Sequence, residues 1–208
     1  MRRVPRLYLI TDRHQTRGRP LLEVVEAALR GGVEAVQLRE KDLPGGAMYE
    51  LACALRPLCE RHGAALLIND RVDIAAAVRA HGVHLPVRSF HVAEARAVLG
   101  PEALIGCSCH DLTEAMTAAR RGADFVVCGP VFSTPSKERF GPPMGTELLA
   151  QVCREVPAPV LAIGGITPAN VVRVRQAGAR GVAVIRAILD APDPTVAARE
   201  LATALATA

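Results

Sequence analysis

The chain has 208 residues, half of them hydrophobic, which is enough to bury a sizeable core within one domain. Only 3% of the residues are aromatic and there is no Trp, so that core must be built from Val, Leu, Ile and Ala, a composition suited to strands packed between helices. The formal net charge is +4 with Lys and Arg scattered among Asp and Glu, which argues against a nucleic-acid binder and leaves a mild attraction for anionic metabolites, or simple solubility, as its meaning.

The opening MRRVPRLYLITDRH holds an apolar run too brief for a signal sequence or a membrane span, and the expectation is a cytoplasmic protein. Residues 7–11 form the first predicted strand, and Pro20 opens a helix over 21–30 that Gly31-Gly32 ends. A second strand at 33–38 runs into Arg39-Glu40-Lys41-Asp42 and a helix over 48–61. The pattern then recurs as strands at 64–68, 82–85, 104–107, 125–128, 160–163 and 181–185. Their helices fall at 72–79, 92–99, 112–120, 146–155, 168–177 and 195–206. Three joins, AALRGGVEAVQL, AARRGADFVVCG and VRQAGARGVAVI, each place glycine where a helix end needs a left-handed residue, then a β-rich run. Eight strand and helix pairs define an α/β chain and predict a closed (βα)8 TIM barrel over 1–208, a single domain, with an open doubly wound sheet as the alternative.

Six cysteines, at 53, 59, 107, 109, 128 and 153, fall mostly inside apolar patterns and read as core thiols rather than a disulfide framework. Cys107-Ser108-Cys109 before His110 resembles a metal cluster, but the CxC is expected to split its thiols between the two faces of a strand end, which argues against zinc.

In a parallel barrel the residues after each strand share one rim, and here they are polar: Thr11-Asp12, Gln37 with Arg39 and Lys41, Asn69-Asp70, His84, Ser108 with His110, and Arg186. The segment 124–145, DFVVCGPVFSTPSKERFGPPMG, turns from a buried strand into Ser133, Thr134, Ser136 and Lys137, three hydroxyls and an ammonium suited to a phosphate. A solvated loop punctuated by prolines reads the same. Gly164-Gly165 after strand seven and Val184-Ile185-Arg186 after strand eight stand where such barrels hold a phosphate on backbone N–H groups, or where glycine serves only a tight turn. Alternation aims Gln37, Arg39 and Lys41 at one side, although exposed salt-bridged charges fit equally well. Asp70 suits a Mg²⁺ that keeps waters and takes phosphate oxygens, or a helix cap. His84 and His110 are acid or base candidates, or hydrogen-bonded structural residues.

Taken together, LYLITD at 7–12, QLREK at 37–41, NDRVDIA at 69–75, GVHL at 82–85, GCSCH at 106–110, GPVFSTPSK at 129–137, AIGGI at 162–166 and GVAVI at 181–185 resemble the thiamin phosphate synthase family, whose relatives include the TenI thiazole tautomerases. The resemblance implies a barrel enzyme joining 4-amino-5-hydroxymethyl-2-methylpyrimidine diphosphate to a thiazole phosphate with release of pyrophosphate. It implies that Gln37, Arg39, Lys41, Asn69, Ser108 and Lys137 serve the pyrimidine diphosphate, with Asp70 on Mg²⁺. It implies that Thr134, Ser136, Gly164, Gly165, Val184 and Ile185 hold the thiazole phosphate. Neither nucleic acid nor membrane is implied as a partner, and a homo-oligomer is left open.

Three positions depart from the pattern. Ser89 stands where the synthases carry a second metal-binding Asp, and its LPxxSF context is similar to TenI proteins. Arg186 stands where a serine is usual beside the phosphate, either strengthening phosphate binding or blocking the pocket. Pro130 stands where a TenI histidine is expected, so that His84 or His110 would have to substitute in a tautomerase. The alternatives to the synthase are therefore a metal-independent thiazole tautomerase and a noncatalytic phosphometabolite-binding regulator.

Overall fold

The computed structural model describes residues 3–134 and 142–207. Eight parallel strands pair in chain order: β1 (Leu7–Ile10), β2 (Ala35–Leu38), β3 (Ala65–Asn69), β4 (Gly82–Leu85), β5 (Leu104–Cys109), β6 (Phe125–Cys128), β7 (Val160–Ile163) and β8 (Gly181–Val184). Strand β8 pairs back onto β1, Leu7 opposite Val182 and Leu9 opposite Val184, so the sheet is the closed barrel and the open sheet is excluded. Helices α1 (Leu21–Arg30), α2 (Gly45–Arg61), α3 (Val72–Ala77), α4 (Val92–Leu99), α5 (Leu112–Arg120), α6 (Gly145–Glu155) and α7 (Val171–Gln176) follow the first seven strands in turn. After β8 come a short α8 (Arg186–Leu189) and α9 (Pro194–Thr207), which packs back on α1. That approach requires Gly31, because a Cβ there would lie 2.5 Å from the Thr195 carbonyl oxygen.

Successive strand residues point to opposite faces, which splits the core in two. Leu9, Leu38, Ile68, Ile105 and Val126 face the helix layer, while Tyr8, Ile10, Leu67, Leu104, Phe125 and Leu161 fill the lumen. Tyr8 and Phe125, both fully buried, meet edge to face inside the barrel with ring centroids 5.7 Å apart. Glycine makes the room for these large lumen residues. A Cβ on Gly106 would stand 2.3 Å from the Phe125 ring, and one on Gly82 would stand 1.8 Å from the Leu104 carbonyl oxygen.

The element boundaries differ from expectation for local reasons. Strand β2 begins at Ala35 because Val33 N–H donates to the Ala28 carbonyl and closes α1, while the Glu34 carboxylate accepts from the Arg6 backbone N–H at 2.9 Å. Helix α7 begins at Val171 because Asn170 ties the preceding turn, accepting from Thr167 N and donating to the Gly165 carbonyl. A 3₁₀ turn at Arg13–Gln15 was not anticipated; Asp12 caps it by accepting from His14 N. Strand β5 runs on to Cys109, and Cys107 and Cys109 both pack in the helix-layer core, on one face of the strand. The expectation that CxC divides its thiols is thereby corrected, since residues two apart share a face. All six cysteines are free; Cys53 is exposed rather than a core thiol, and burial pushes the Cys59 and Cys107 thiols up to about 12.

Replacing Gly106 by Ala is expected to destabilise the protein by about 1–3 kcal/mol through overpacking against Phe125. Adding Phe125→Leu should recover part of that loss, giving a favourable coupling above about 0.5 kcal/mol between the two sites in urea-denaturation midpoints.

Candidate active site

The rim is built first from β1 and β2. Leu38 and Glu40 face outward, which turns Gln37 into the lumen and brings Arg39 to the mouth, its backbone N–H donating to the Thr11 hydroxyl at 2.9 Å. Buried Glu40 accepts from the Arg13 backbone N–H at 3.2 and 3.1 Å and from Arg13 Nη1 at 3.3 Å. The same guanidinium grips both oxygens of Asp42 at 2.6 Å, and His14 Nε2 lies 3.0 Å from that carboxylate. Hydrogen bonds from Arg13 and His14 hold the Asp42 carboxyl well below the usual range. The first two loops are thus tied into one unit, which carries Arg39 and the exposed Lys41.

Asn69 ends β3 opposite His84 of β4. Asp70 follows with φ 66°, a left-handed conformation that Asp tolerates, and its backbone N–H donates to the His84 carbonyl at 2.9 Å. Its carboxylate accepts from the Ser89 hydroxyl. Arg71, not Asp70, occupies the cap position of α3, and it makes no side-chain capping bond. One carboxylate beside an amide and a hydroxyl fits a hard cation that keeps its waters and completes its shell with phosphate oxygens. Among the described residues no group of three or more His, Cys, Asp or Glu could hold a metal on protein ligands alone.

Beneath this rim lies a buried polar chain. Gln37 Nε2 donates to the Tyr8 hydroxyl at 3.1 Å, that hydroxyl lies 3.5 Å from His84 Nδ1, and His84 Nε2 lies 2.9 Å from Ser108 Oγ. Burial, with the Arg39 charge adding to it, pushes the His84 imidazole down to about 3, so the ring is neutral at ordinary pH. Burial also raises the Tyr8 phenol. His110 lies apart from this chain, exposed, with Nδ1 3.1 Å from Glu114 on α5.

On the far side, Val131 N–H donates to the Ile163 carbonyl at 2.8 Å and Phe132 N–H to the Gly164 carbonyl at 3.1 Å, joining the loops after β6 and β7. Gly164 and Gly165 have φ 98° and 64°, and a Cβ on either would collide with Pro130 at 2.6 Å or the Ser133 carbonyl at 2.7 Å. Both the backbone sign and the close approach therefore demand glycine. Thr134 is half-buried on this loop; Ser136 and Lys137 lie outside the described residues. Val184 packs into the helix layer, whereas Ile185 touches both that layer and the lumen. Arg186 is half exposed on α8 with Nη2 3.4 Å from Asp190, turned to that carboxylate.

Sequence reasoning passed over Tyr8 and the Arg13–Glu40–Asp42 cluster. Tyr8 was the one that could have been found, as the only aromatic residue of the first strand and two positions from Ile10 on the same face.

A closed barrel whose strand ends carry amides, a carboxylate, hydroxyls and a guanidinium to one rim belongs to the class of (βα)8 barrels, which place their active sites at that rim and frequently bind phosphate there. Residues 7–188 match the family model described as thiamine monophosphate synthase, TMP-TENI. The chain is 48% identical over 195 residues to the thiamine-phosphate synthase of Roseiflexus castenholzii, covering 94% of this chain and 86% of that one. It is 45% identical over 196 residues to the thiamine-phosphate synthase of Chloroflexus aurantiacus, covering 94% and 90%. The solved thiamine phosphate pyrophosphorylase from Pyrococcus furiosus superposes with a TM-score of 0.88 at 38% identity, covering 97% of this chain and 96% of that one. The protein belongs to the thiamine monophosphate synthase family.

A neutral buried imidazole makes stability depend on pH. The unfolded chain protonates His84 near 6.5 while the folded one resists down to about 3, so stability is full above pH 6.5 and is lost as pH falls through that window. His81, also shifted down by burial, acts in the same sense. Urea midpoints between neutral and mildly acidic pH should show wild type losing more stability than His84→Gln, the difference approaching about 1.4 kcal/mol per pH unit.

Proposed function

We propose that the protein condenses 4-amino-5-hydroxymethyl-2-methylpyrimidine diphosphate with a thiazole phosphate, giving thiamin phosphate and pyrophosphate. The observation that carries this reading is the convergence of lumen-facing Gln37, Asn69 and Ser108 with Arg39 and Asp70 at one rim of a family member. The relatives named above are synthases, which favours this activity over the tautomerase and the noncatalytic binder.

On this reading Gln37, Asn69 and Ser108 hold the pyrimidine diphosphate, and Arg39, Lys41 and Lys137 neutralise its charge. The bond between the pyrimidine methylene and the diphosphate oxygen breaks, and its electron pair leaves with pyrophosphate. Guanidinium and ammonium groups around that oxygen lower the barrier because they act where negative charge develops, away from bulk water. The methylene cation left on the ring is captured by the thiazole nitrogen, which Thr134, Ser136, Gly164, Gly165, Val184, Ile185 and Arg186 bring within reach through the thiazole phosphate. Mg²⁺, held by Asp70, supplies further neutralisation of the diphosphate when bound. We place the protein in the cytoplasm; among the described residues no helix is long and apolar enough to cross a membrane.

Purified protein given both substrates is expected to release pyrophosphate in a Mg²⁺-dependent manner, and Asp70→Ala to reduce that release by about 10²-fold or more. Absence of release at high enzyme concentration, or a metal-independent change of thiazole absorbance instead, would overturn the assignment.

A further inference from the structure

We propose that Tyr8 and His84 are positioning residues which, through a one-way hydrogen-bond chain, compel Ser108 to present its hydroxyl proton to the ligand, so that the ligand atom at Ser108 must be an acceptor. What occupies the mouth rests on the reading above; the polarity of the chain does not.

The direction follows from counting protons. Gln37 Nε2 donates to the Tyr8 oxygen, so the single phenol proton is left for the other polar neighbour of that hydroxyl, His84 Nδ1. Nδ1 then carries a lone pair, and a neutral imidazole keeps its one proton on Nε2. Nε2 is 2.9 Å from Ser108 Oγ, which therefore accepts, and the Ser108 proton is free to turn elsewhere. The reverse direction would put the proton on Nδ1, facing an oxygen that already accepts from Gln37, and would leave the phenol proton of a fully buried tyrosine without an acceptor. Tyr8 and His84 both sit in the packed lumen against Phe125, with ring centroids 5.7 and 6.1 Å from it, so neither ring is free to turn out of the chain. A half-buried hydroxyl with an assigned donor role discriminates against a ligand that offers a donor at that point, because the two protons would oppose each other. Phosphate oxygens and ring nitrogens of the pyrimidine diphosphate both satisfy it.

The test is a long-range ¹H–¹⁵N correlation spectrum of the ¹⁵N-histidine-labelled protein, with the His84 signal identified by its loss in His84→Gln. The expected result is a neutral ring protonated at Nε2 alone, with Tyr8→Phe, which removes the phenol proton, converting it to a mixture of tautomers. An Nδ1-protonated ring, or a mixture already present in the wild type, would overturn the chain; an unchanged Nε2 signal in Tyr8→Phe would remove Tyr8 from it. None of these outcomes depends on whether pyrophosphate is released, so the chain and the activity fail separately. In turnover, His84→Gln, whose amide N–H can reach the Ser108 oxygen, should keep KM for the pyrimidine diphosphate within about threefold. His84→Asn, one methylene too short, should raise it about tenfold, the loss of one hydrogen bond. Equal losses in the two variants would reduce His84 to a packing residue.

Discussion

The ladder between β8 and β1 is the constraint on which the rest depends. Once Leu7 pairs with Val182 and Leu9 with Val184, no strand has a free edge, and every second strand residue is committed to a narrow lumen. That space is lined by Leu67, Leu104, Phe125 and Leu161, so a polar group placed there has to find its partner on another strand. Tyr8, Gln37, His84 and Ser108 meet that demand from β1, β2, β4 and β5. The interior of the barrel is therefore both a core and the floor of the site, and the same hydrogen bonds that make burial tolerable orient the groups nearest the rim.

The rim is fixed by a different device on each side. Around β1 and β2 the device is charge: Glu40, whose side chain is 1% exposed, is satisfied by the backbone and guanidinium of Arg13. Surface ion pairs contribute little, and the bond from Arg13 to half-exposed Asp42 is of that kind. Stranding buried Glu40 is another matter, since an uncompensated interior charge costs several kcal/mol, and this holds the loop carrying Arg39 and Lys41 in place. Around β6 and β7 the device is steric. Two glycines allow the loops to touch, and backbone hydrogen bonds from Val131 and Phe132 lock them, with the Arg173 guanidinium 5.3 Å from the centre of the Phe132 ring.

Most of the architecture was legible because periodicity and helix-ending glycines are local signals: Gly32, Gly122 and Gly178 all have positive φ, as the three repeated joins required. Boundaries were missed where a side-chain bond ended an element, across the fold as Glu34 does by turning to Arg6, or within one turn as Asn170 does. The polar rim was legible for the same reason as the fold, since parallel strands bring their carboxyl ends to one face. Partnerships were not. Nothing in the spacing links Tyr8 to His84, 76 residues on, or Ser89 to Asp70. Arg186 and Asp190 are the opposite case, a local pair four residues apart across α8 that owes nothing to the barrel.

Ser89 and Asp70 carry the departure from the family pattern into physical terms. A second carboxylate beside Asp70 would repel it and would need a cation to be tolerated at close range. A hydroxyl instead donates to Asp70 and satisfies one of its oxygens without any ion. On the proposed reading a single carboxylate offers a divalent cation little by itself, and most of the attraction has to come from the diphosphate. Arg39 and Lys41 at the same rim favour the same order of events, since two cations repel a free metal but attract a diphosphate that has yet to bind one. The floor beneath them is uncharged, held neutral by burial of His84, so the balance of charge at the mouth is set by the rim and its ligand alone.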